Sequence, residues 1–201
     1  MRTKFDPTAF AEKRFALKQM MKFAWDGYKT YAWGGISLNP VAKTKAASGP
    51  FGDSDSGATI IDSLDTLHIM GLRDEFADGV QWLIDNFAEN YSNTEDMVSV
   101  FEVVIRYVGG FLSAYYLSDD ERLLDLAKVT SDKLMPAFDT TSGLPWTLVS
   151  PKLPAKRKNY GWHNGGKCGI LADMGSLDLE FTALSKLTGD QKYKQAVREG
   201  M

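Results

Sequence analysis

The strongest constraint on the fold is a junction between two helices that recurs three times along the chain. Three stretches superpose without gaps, namely MGLRDEFADGV (70–80), LSDDERLLDLA (117–127) and LTGDQKYKQAV (187–197). Each stretch joins the end of one helix, a tight polar turn and the start of a second helix. Helical hairpins in such a series predict an all-α fold, either an open solenoid or a closed α/α toroid.

The spacing of the junctions favours the toroid. The junctions begin at residues 70, 117 and 187, so the intervals between them are 47 and 70 residues. A solenoid would need a constant period and short loops. This chain instead has long loops rich in glycine and proline at about 39–57 and 139–167. We therefore predict a toroid of antiparallel helical hairpins that collects its site residues from loops and helix ends on one face.

Apolar residues at helical spacing, together with the turn residues between them, predict the individual helices. The predicted helices cover about 15–31, 58–70, 73–89, 95–117, 120–134, 171–187 and 190–201, with a short hairpin at 144–149. The sequence ends at Met201, in the middle of the last predicted helix. We expect the chain to be part of a longer protein, because a toroid closes only when its final helices pack against its first.

Composition excludes several classes of function. A net charge of −3 and a pI near 5.4 argue against a surface that binds nucleic acid or an anionic membrane. Cys168 is the single cysteine, so the chain forms no internal disulfide. No window is expected to reach the length of a transmembrane helix. Asn90-Tyr91-Ser92 is an N-glycosylation acceptor, which would matter in the secretory pathway.

The stretch SVFEVVIRYVGGFLSAYYLS (99–118) is apolar almost throughout, yet it contains Glu102 and Arg106. At i, i+4 spacing the two side chains can pair on one face of a helix. One interpretation is a structural ion pair. The other is a carboxyl group among apolar residues, steadied by a guanidinium, that protonates a leaving oxygen. Gly109 and Gly110 cost the helix roughly 2 kcal/mol, which predicts that another backbone segment approaches closely there.

Further carboxylates lie in two other predicted helices. Asp62 and Asp65 share one side of the helix in ATIIDSLDTLHIMGL (58–72), because they are three residues apart. This spacing suits a cation or the hydroxyl groups of a sugar, and it equally suits stabilisation of a helix N-terminus. Glu180 is another acid inside an apolar run, GSLDLEF (175–181).

The remaining polar and aromatic residues give weaker signals. His68 and His163 have no partner at a metal-ligand spacing, so no metal site is predicted from them. Several aromatic residues beside the acids could form a carbohydrate-binding surface, although core packing explains them equally well: Trp33, Trp146, Tyr160 and Trp162.

Four stretches together resemble one family, the class I α-1,2-mannosidases of glycoside hydrolase family 47. They are MMKFAWDGYKTYAWG (20–34), ATIIDSLDTLHIMGL (58–72), SVFEVVIRYVGGFLSAYYLS (99–118) and GSLDLEFTALSKLTGD (175–190). The pattern FExxIRxxGGxLSAYxLS is long and specific. The likeness covers essentially the whole chain, but only the N-terminal part of the family's catalytic domain. Residues 1–201 would therefore be the N-terminal portion of a single, incomplete catalytic domain.

The resemblance implies an (α/α)7 barrel that removes terminal α-1,2-linked mannose from high-mannose N-glycans, with inversion and with bound Ca²⁺. Glu102 matches the family's general acid, which usually acts through a water. Arg106, Asp62 and Glu180 match residues that line the mannose pocket. The expected location is the Golgi or endoplasmic reticulum lumen, with a membrane anchor in a segment absent from this chain. Residues 49–57 and 160–166 resemble cleft loops of the Golgi-type branch.

The likeness also implies that this chain lacks part of the machinery. An inverting glycosidase needs a second carboxylate to activate water, and the family takes that base and the threonine that binds Ca²⁺ from its C-terminal half. We expect the 201-residue chain alone to release no mannose. Two alternatives are an ER-degradation-enhancing mannosidase-like protein and a non-catalytic helical-repeat binding module in which Glu102 and Arg106 are structural.

Overall fold

The computed structural model describes residues 10–47, 49–52, 55–162 and 164–199, and most of these residues are helical. The α-helices are α1 (Ala11–Tyr31), α2 (Ala58–Ile69), α3 (Arg73–Asn93), α4 (Val100–Glu102), α5 (Gly109–Ser118), α6 (Glu121–Leu134), α7 (Leu171–Gly175), α8 (Asp178–Thr188) and α9 (Lys192–Glu199). A π-helix (Val103–Val108) joins α4 to α5 without a break, and 3-10 helices cover Met135–Phe138 and Asn164–Gly166.

Short strands form two small antiparallel sheets. In the first sheet, β1 (Leu38–Asn39) pairs with β2 (Thr44–Lys45). In the second sheet, the order is β3 (Val98–Ser99), β4 (Leu148–Val149) and β5 (Arg157–Lys158). The predicted hairpin at 144–149 was wrong in position, because residues 148–149 pair with residues 157–158. The predicted helix at 95–117 begins later, because β3 occupies residues 98–99.

Three helical hairpins form two layers. The hairpins are α2–α3, α5–α6 and α8–α9, and within each hairpin the two helices pack against one another. Helix α5 also packs against α2 on one side and α8 on the other, which places these three helices in one layer. Helix α3 packs against α6 in the second layer. The predicted all-α hairpin architecture is thus present in the described residues.

Each of the three junction turns contains a residue in the left-handed backbone conformation, with positive φ. In two of the three junctions this residue has the same position in the gapless alignment. Asp119 and Gly189 occupy the same position of the gapless alignment, and both have positive φ. Each is followed by an aspartate whose side chain accepts a backbone N–H of the next helix, Asp120 from Arg122 and Asp190 from Lys192. In the first junction the left-handed residue is Gly71, one position earlier.

The helix predicted at 171–187 is two helices. Helix α7 ends at Gly175, and α8 begins at Asp178. The Ser176 hydroxyl donates a 2.8 Å hydrogen bond back to the carbonyl of Ala172. Glycine has low helix propensity, and a serine side chain competes for backbone partners, so this pair of residues favours the break.

The continuous helix Val100–Ser118 lies at the centre of the core. The side chains of Val103, Val104, Tyr107, Val108 and Phe111 are fully buried. By length and composition this helix could cross a membrane, so the expectation of no such window was wrong. It packs against α2 and α6, which is the setting of a core helix in a folded domain.

Gly110 brings α5 into close contact with α2. A Cβ atom added at Gly110 would lie 2.8 Å from Ile61 Cγ2 and 3.2 Å from the Ile61 carbonyl oxygen. Real Cβ contacts are longer than the first of these distances, so any larger residue would push the two helices apart. This confirms the predicted close approach of a second backbone at the double glycine.

We therefore expect Gly110→Ala to destabilise the protein by about 1–3 kcal/mol, the usual cost of overpacking, even though alanine favours the helix. The matched control is Gly27→Ala in α1, where the added Cβ would lie 3.8 Å from Leu38. This control should be neutral or stabilising by up to about 1 kcal/mol. Urea unfolding measures both, and equal stabilities of the two variants would contradict the close contact.

Candidate functional site

Arg106 connects two carboxylates that come from different helices. Its Nε donates to Glu102 Oε2 at 2.7 Å, and its Nη1 donates to Asp62 Oδ2 at 3.1 Å. Glu102 is the last residue of α4, Arg106 lies in the π-helix, and Asp62 lies in α2. The structure therefore brings together three of the four residues that the sequence predicted for the site.

The local backbone explains how Glu102 is presented. The Ser99 hydroxyl caps the helix by accepting the backbone N–H of Glu102 at 3.2 Å. This helix begins at Val100 rather than at the predicted residue 95, because α3 continues to Asn93 and β3 precedes the helix. The π-helix follows directly after Glu102. Such segments occur often at functional sites, and no residue pattern in this stretch predicted the π-helix.

The Glu102 and Arg106 side chains are more exposed than the apolar sequence around them predicts. The side chains are 27% and 46% exposed, respectively. The neighbouring side chains of Val103, Val104 and Tyr107 are fully buried, whereas this pair is accessible to solvent. Exposed ion pairs contribute little net stability, so stability alone gives no reason to keep this pair. The hydrogen bond to Glu102 raises the pKa of Arg106, which keeps the guanidinium charged.

Asp62 has an electrostatic setting different from that of a simple ion pair. Burial raises the pKa of its carboxyl group above the ordinary value, and the hydrogen bond from Arg106 offsets only part of this effect. The nearby charges of Asp65 and Glu102 raise this pKa further. Arg106 therefore offsets only part of the rise in the pKa of Asp62 that burial and the neighbouring acids cause.

Asp65 and Asp62 have different hydrogen-bond partners. Its Oδ2 accepts a 2.9 Å hydrogen bond from the hydroxyl of Ser113 on α5, and its Oδ1 accepts from Thr66 at 3.2 Å. The first turn of α2 contains no acidic residue. Asp65 thus links α2 to α5. Because neither aspartate lies in the first turn of α2, the predicted stabilisation of the helix N-terminus is wrong.

Glu180 lies in α8 beside the same central helix. Its Oε1 lies 3.7 Å from the position that a Cβ on Gly109 would take, an ordinary van der Waals distance, so the carboxylate lies against the central helix. Among the described residues, Glu180 Oε2 is buried and has no hydrogen-bond partner. Burial raises the pKa of Glu180 above its ordinary value of 4.5. An unpaired buried carboxylate oxygen is costly, and a ligand hydroxyl would satisfy it.

Asp173 is an additional acid that the sequence reading missed. It belongs to α7, a short helix that packs against α4. Burial raises the pKa of Asp173, and the charge of Glu102 raises it further. The stretch around it, ILADMGS, resembles an ordinary helix start, so the sequence offered no signal for its approach to Glu102.

The aromatic residues fall into two groups. Trp33 packs against Trp25, Tyr28 and Trp82 near α1, so it belongs to the core. Tyr160 instead stacks on Trp162 with ring centroids 5.4 Å apart, and Trp162 is 72% exposed. Stacked rings of this kind suit the apolar face of a sugar.

Of the two histidines, His68 lies within the described residues. His68 lies 3.3 Å from Arg73 and against the ring of Phe76, while His163 is outside the described residues. Within the part of the chain that the structure describes, no group of three or more His, Cys, Asp or Glu side chains could hold a metal ion. These residues therefore do not fit a calcium ion by themselves.

The glycosylation candidate Asn90 lies in the last turns of α3. The residue is exposed, and its Nδ2 donates to the backbone carbonyl of Asp55 at 3.4 Å. Tyr91, the middle residue of the acceptor triplet, is buried. Glycosylation at Asn90 stays a prediction.

Comparison with known proteins identifies the family of this chain. Residues 20–201 match the family model described as Glycosyl hydrolase family 47. The chain is 50% identical over 186 residues to human mannosyl-oligosaccharide 1,2-alpha-mannosidase IB, covering 92% of this chain and 28% of that protein. It is 46% identical over 181 residues to mannosyl-oligosaccharide alpha-1,2-mannosidase IA of Spodoptera frugiperda, covering 90% and 26%.

A solved structure also matches. The alpha-1,2-mannosidase from Trichoderma reesei superposes with a TM-score of 0.73 and 29% sequence identity, covering 94% of this chain and 40% of that one. The chain therefore spans well under half the length of the proteins that it matches. The resemblance predicted from the four sequence stretches is confirmed.

The raised pKa of Glu180 predicts a pH-dependent cost. The unfolded carboxyl group ionises at lower pH than the folded one, so stability is lost as pH rises from about 4.5 through the raised pKa. We expect Glu180→Gln to raise the melting temperature at pH 7 by roughly 2–4 °C, the shift that about 1 kcal/mol produces at this chain length. The gain should vanish below pH 4.

The control for this prediction is Glu89→Gln, because Glu89 is an exposed residue of α3. Calorimetry at pH 3.5 and pH 7 measures both variants. A Glu180→Gln effect that is the same at both pH values, or equal to that of the control, would show that burial of the Glu180 carboxylate carries no cost.

Proposed function

Because the chain belongs to glycosyl hydrolase family 47, we propose that its natural gene product hydrolyses terminal α-1,2-linked mannose of high-mannose N-glycans. The observation that supports this most directly is the bridge from Arg106 to both Glu102 and Asp62. It places an acid, a fixed cation and a second carboxylate from another helix within reach of one ligand. The curated relatives are named for this activity.

In the proposed reaction Glu102 protonates the glycosidic oxygen, directly or through a water. The bond between this oxygen and C1 of the terminal mannose breaks, and a water attacks C1 from the opposite face with inversion. A second carboxylate takes the proton of that water. We assign this base to a part of the catalytic domain outside these 201 residues.

Arg106, Asp62 and Glu180 are proposed to bind the sugar. Arg106 holds the Glu102 carboxyl group on its Nε side and presents its remaining N–H groups to hydroxyl oxygens. Asp62 and Glu180 can accept hydrogen bonds from mannose hydroxyls. For Glu180, such a bond would reach an oxygen that has no partner among the described residues.

The proposed complete architecture is an (α/α)7 barrel, of which this chain forms the N-terminal portion. Two observations support it. The hairpins α2–α3, α5–α6 and α8–α9 form two layers, and the fold superposes on a solved α-1,2-mannosidase. In such a barrel, the helices α2, α5 and α8 would form the inner layer, which is the layer that holds Asp62 and Glu180.

We also propose that the natural gene product binds Ca²⁺ and acts in the lumen of the Golgi or endoplasmic reticulum, with a membrane anchor outside this chain. Because the described residues contain no group of three or more His, Cys, Asp or Glu side chains that could hold a metal ion, we expect the direct protein ligand of Ca²⁺ outside them. These proposals rest on the family.

A non-catalytic binding module in which Glu102 and Arg106 are structural is less well supported. A structural ion pair is expected to stabilise the folded state. A pair whose side chains are 27% and 46% exposed contributes little stability. In addition, the unpaired Glu180 Oε2 and the raised pKa of Asp62 are costs to the folded state that a purely structural role does not explain.

The test is Glu102→Gln in the natural gene product, with release of mannose from an α-1,2-linked mannobiose as the readout. Loss of a general acid lowers kcat by about 10²–10⁴-fold. Glu89→Gln, the exposed control on α3, should keep wild-type activity. Full activity of Glu102→Gln, or no release of mannose by the wild-type protein with Ca²⁺ present, would contradict the proposal.

A further inference from the structure

We propose that Tyr160 is a positioning residue that holds Glu102 through the hydroxyl group of Ser99. This inference rests on the proposed function, because it assigns Tyr160 a role in placing the acid. Tyr160 and Glu102 are far apart in the sequence and belong to different parts of the fold. Ser99 is the residue that both of them contact.

The connection consists of two hydrogen bonds to one oxygen. The Tyr160 hydroxyl donates to Ser99 Oγ at 2.8 Å, and the backbone N–H of Glu102 donates to the same Oγ at 3.2 Å. Ser99 is buried. A hydroxyl oxygen has two lone pairs, so these two donors saturate it. The Tyr160 hydroxyl therefore fixes the orientation of Ser99 Oγ. Because this oxygen also accepts the Glu102 backbone N–H, Tyr160 fixes the Glu102 backbone as well.

The start of the helix depends on this cap. Helix α4 is three residues long, and the π-helix begins directly after Glu102. The regular ladder of α-helical hydrogen bonds is thus changed immediately beyond the acid. Upstream, the Ser99 backbone N–H donates to the Pro50 carbonyl at 2.7 Å. Glu102 therefore lies between the end of β3, which Pro50 anchors, and the π-helix. The Ser99 cap determines the position of Glu102 between these two elements.

Tyr160 itself is anchored to the same element. Thr147 accepts the backbone N–H of Tyr160 on its Oγ1 at 2.9 Å, and its carbonyl accepts the backbone N–H of Val100 at 3.0 Å. Thr147 precedes β4, which pairs with β3 in the register Ser99 to Leu148. Thr147 is buried, and it therefore anchors both the start of the helix and Tyr160.

The hairpin that leads to Tyr160 is firmly attached to the helical layers. Arg157 donates to the Pro136 carbonyl at 2.6 Å and pairs with Asp139 at 2.9 Å. The backbone N–H of Lys152 donates to the Thr94 carbonyl at 3.1 Å. This hairpin can thus act as a rigid support. Burial also raises the pKa of Tyr160, so its hydroxyl stays protonated and able to donate at neutral pH.

The experiment compares Tyr160→Phe with Tyr116→Phe in the natural gene product. Phenylalanine keeps the ring that stacks on Trp162 and removes only the hydroxyl, whereas Tyr116 is exposed on α5. We expect Tyr160→Phe to lower kcat by about 10–100-fold, the range for a slight misplacement of a reacting group. KM should stay within about twofold. Tyr116→Phe should change neither. An unchanged kcat for Tyr160→Phe would overturn the proposal.

Ser99→Ala removes the shared acceptor, Ser99 Oγ, directly. It should lower kcat to a similar degree, and adding Tyr160→Phe to it should cause no further loss, because both changes break one connection. Additive losses in the double variant would show that Tyr160 acts independently of Ser99, which would overturn the connection. If Ser99→Ala does not fold, the kcat of Tyr160→Phe by itself decides the proposal.

Hydrogen exchange of the Glu102 amide separates this inference from the proposed function. Tyr160→Phe should speed exchange of that amide about tenfold without changing the amides of α3. If the wild-type protein releases no mannose while the Glu102 amide responds, the mannosidase proposal fails and the Tyr160 connection stands. If the wild-type protein is active and neither exchange nor kcat responds, the Tyr160 connection fails and the mannosidase proposal stands.

Discussion

The close packing of α5 on α2 at Gly110 is the contact on which the site depends. A side chain at this position would meet Ile61 at 2.8 Å, so the two helices can reach their observed distance only with glycine. Asp62 is the next residue after Ile61, and Arg106 lies one turn before Gly110. The helix contact therefore sets the 3.1 Å hydrogen bond between Arg106 and Asp62. Glu180 of α8 lies at ordinary contact distance from the neighbouring Gly109, with its Oε1 3.7 Å from the position of an added Cβ.

The acids collected around this helix are held at some cost to the folded state. Burial raises the pKa of Asp62, Glu180 and Asp173, which means that the fold disfavours their ionised forms. Arg106 compensates Asp62 in part, whereas Glu180 Oε2 has no partner among the described residues. Groups of this kind cluster at functional sites. The arrangement is understandable if a polyhydroxylated ligand completes the hydrogen bonds that the protein leaves open.

Much of the fold was predictable because it depends on local patterns. The helical hairpins follow from apolar periodicity and turn residues, and Glu102, Arg106 and Asp62 were recognisable as acids and a base in apolar runs. The π-helix after Glu102 was not predictable, because no residue type specifies it. The strands β3 to β5 each contain two residues, too few to show a period. The sequence indicated Tyr160 as a possible sugar-binding aromatic residue. Its hydrogen bond to Ser99 and the approach of Asp173 to Glu102 are long-range contacts, which a single sequence does not record.

The central claim is that Glu102, Arg106 and Asp62 together form the sugar-binding and proton-donating centre. The most direct measurement is a crystal structure of the natural gene product with an α-1,2-linked mannobiose bound. The account predicts the terminal mannose in hydrogen-bonding contact with Arg106 and Asp62, and the glycosidic oxygen within reach of Glu102 directly or through one water. A disaccharide bound at a site that excludes all three side chains would contradict it.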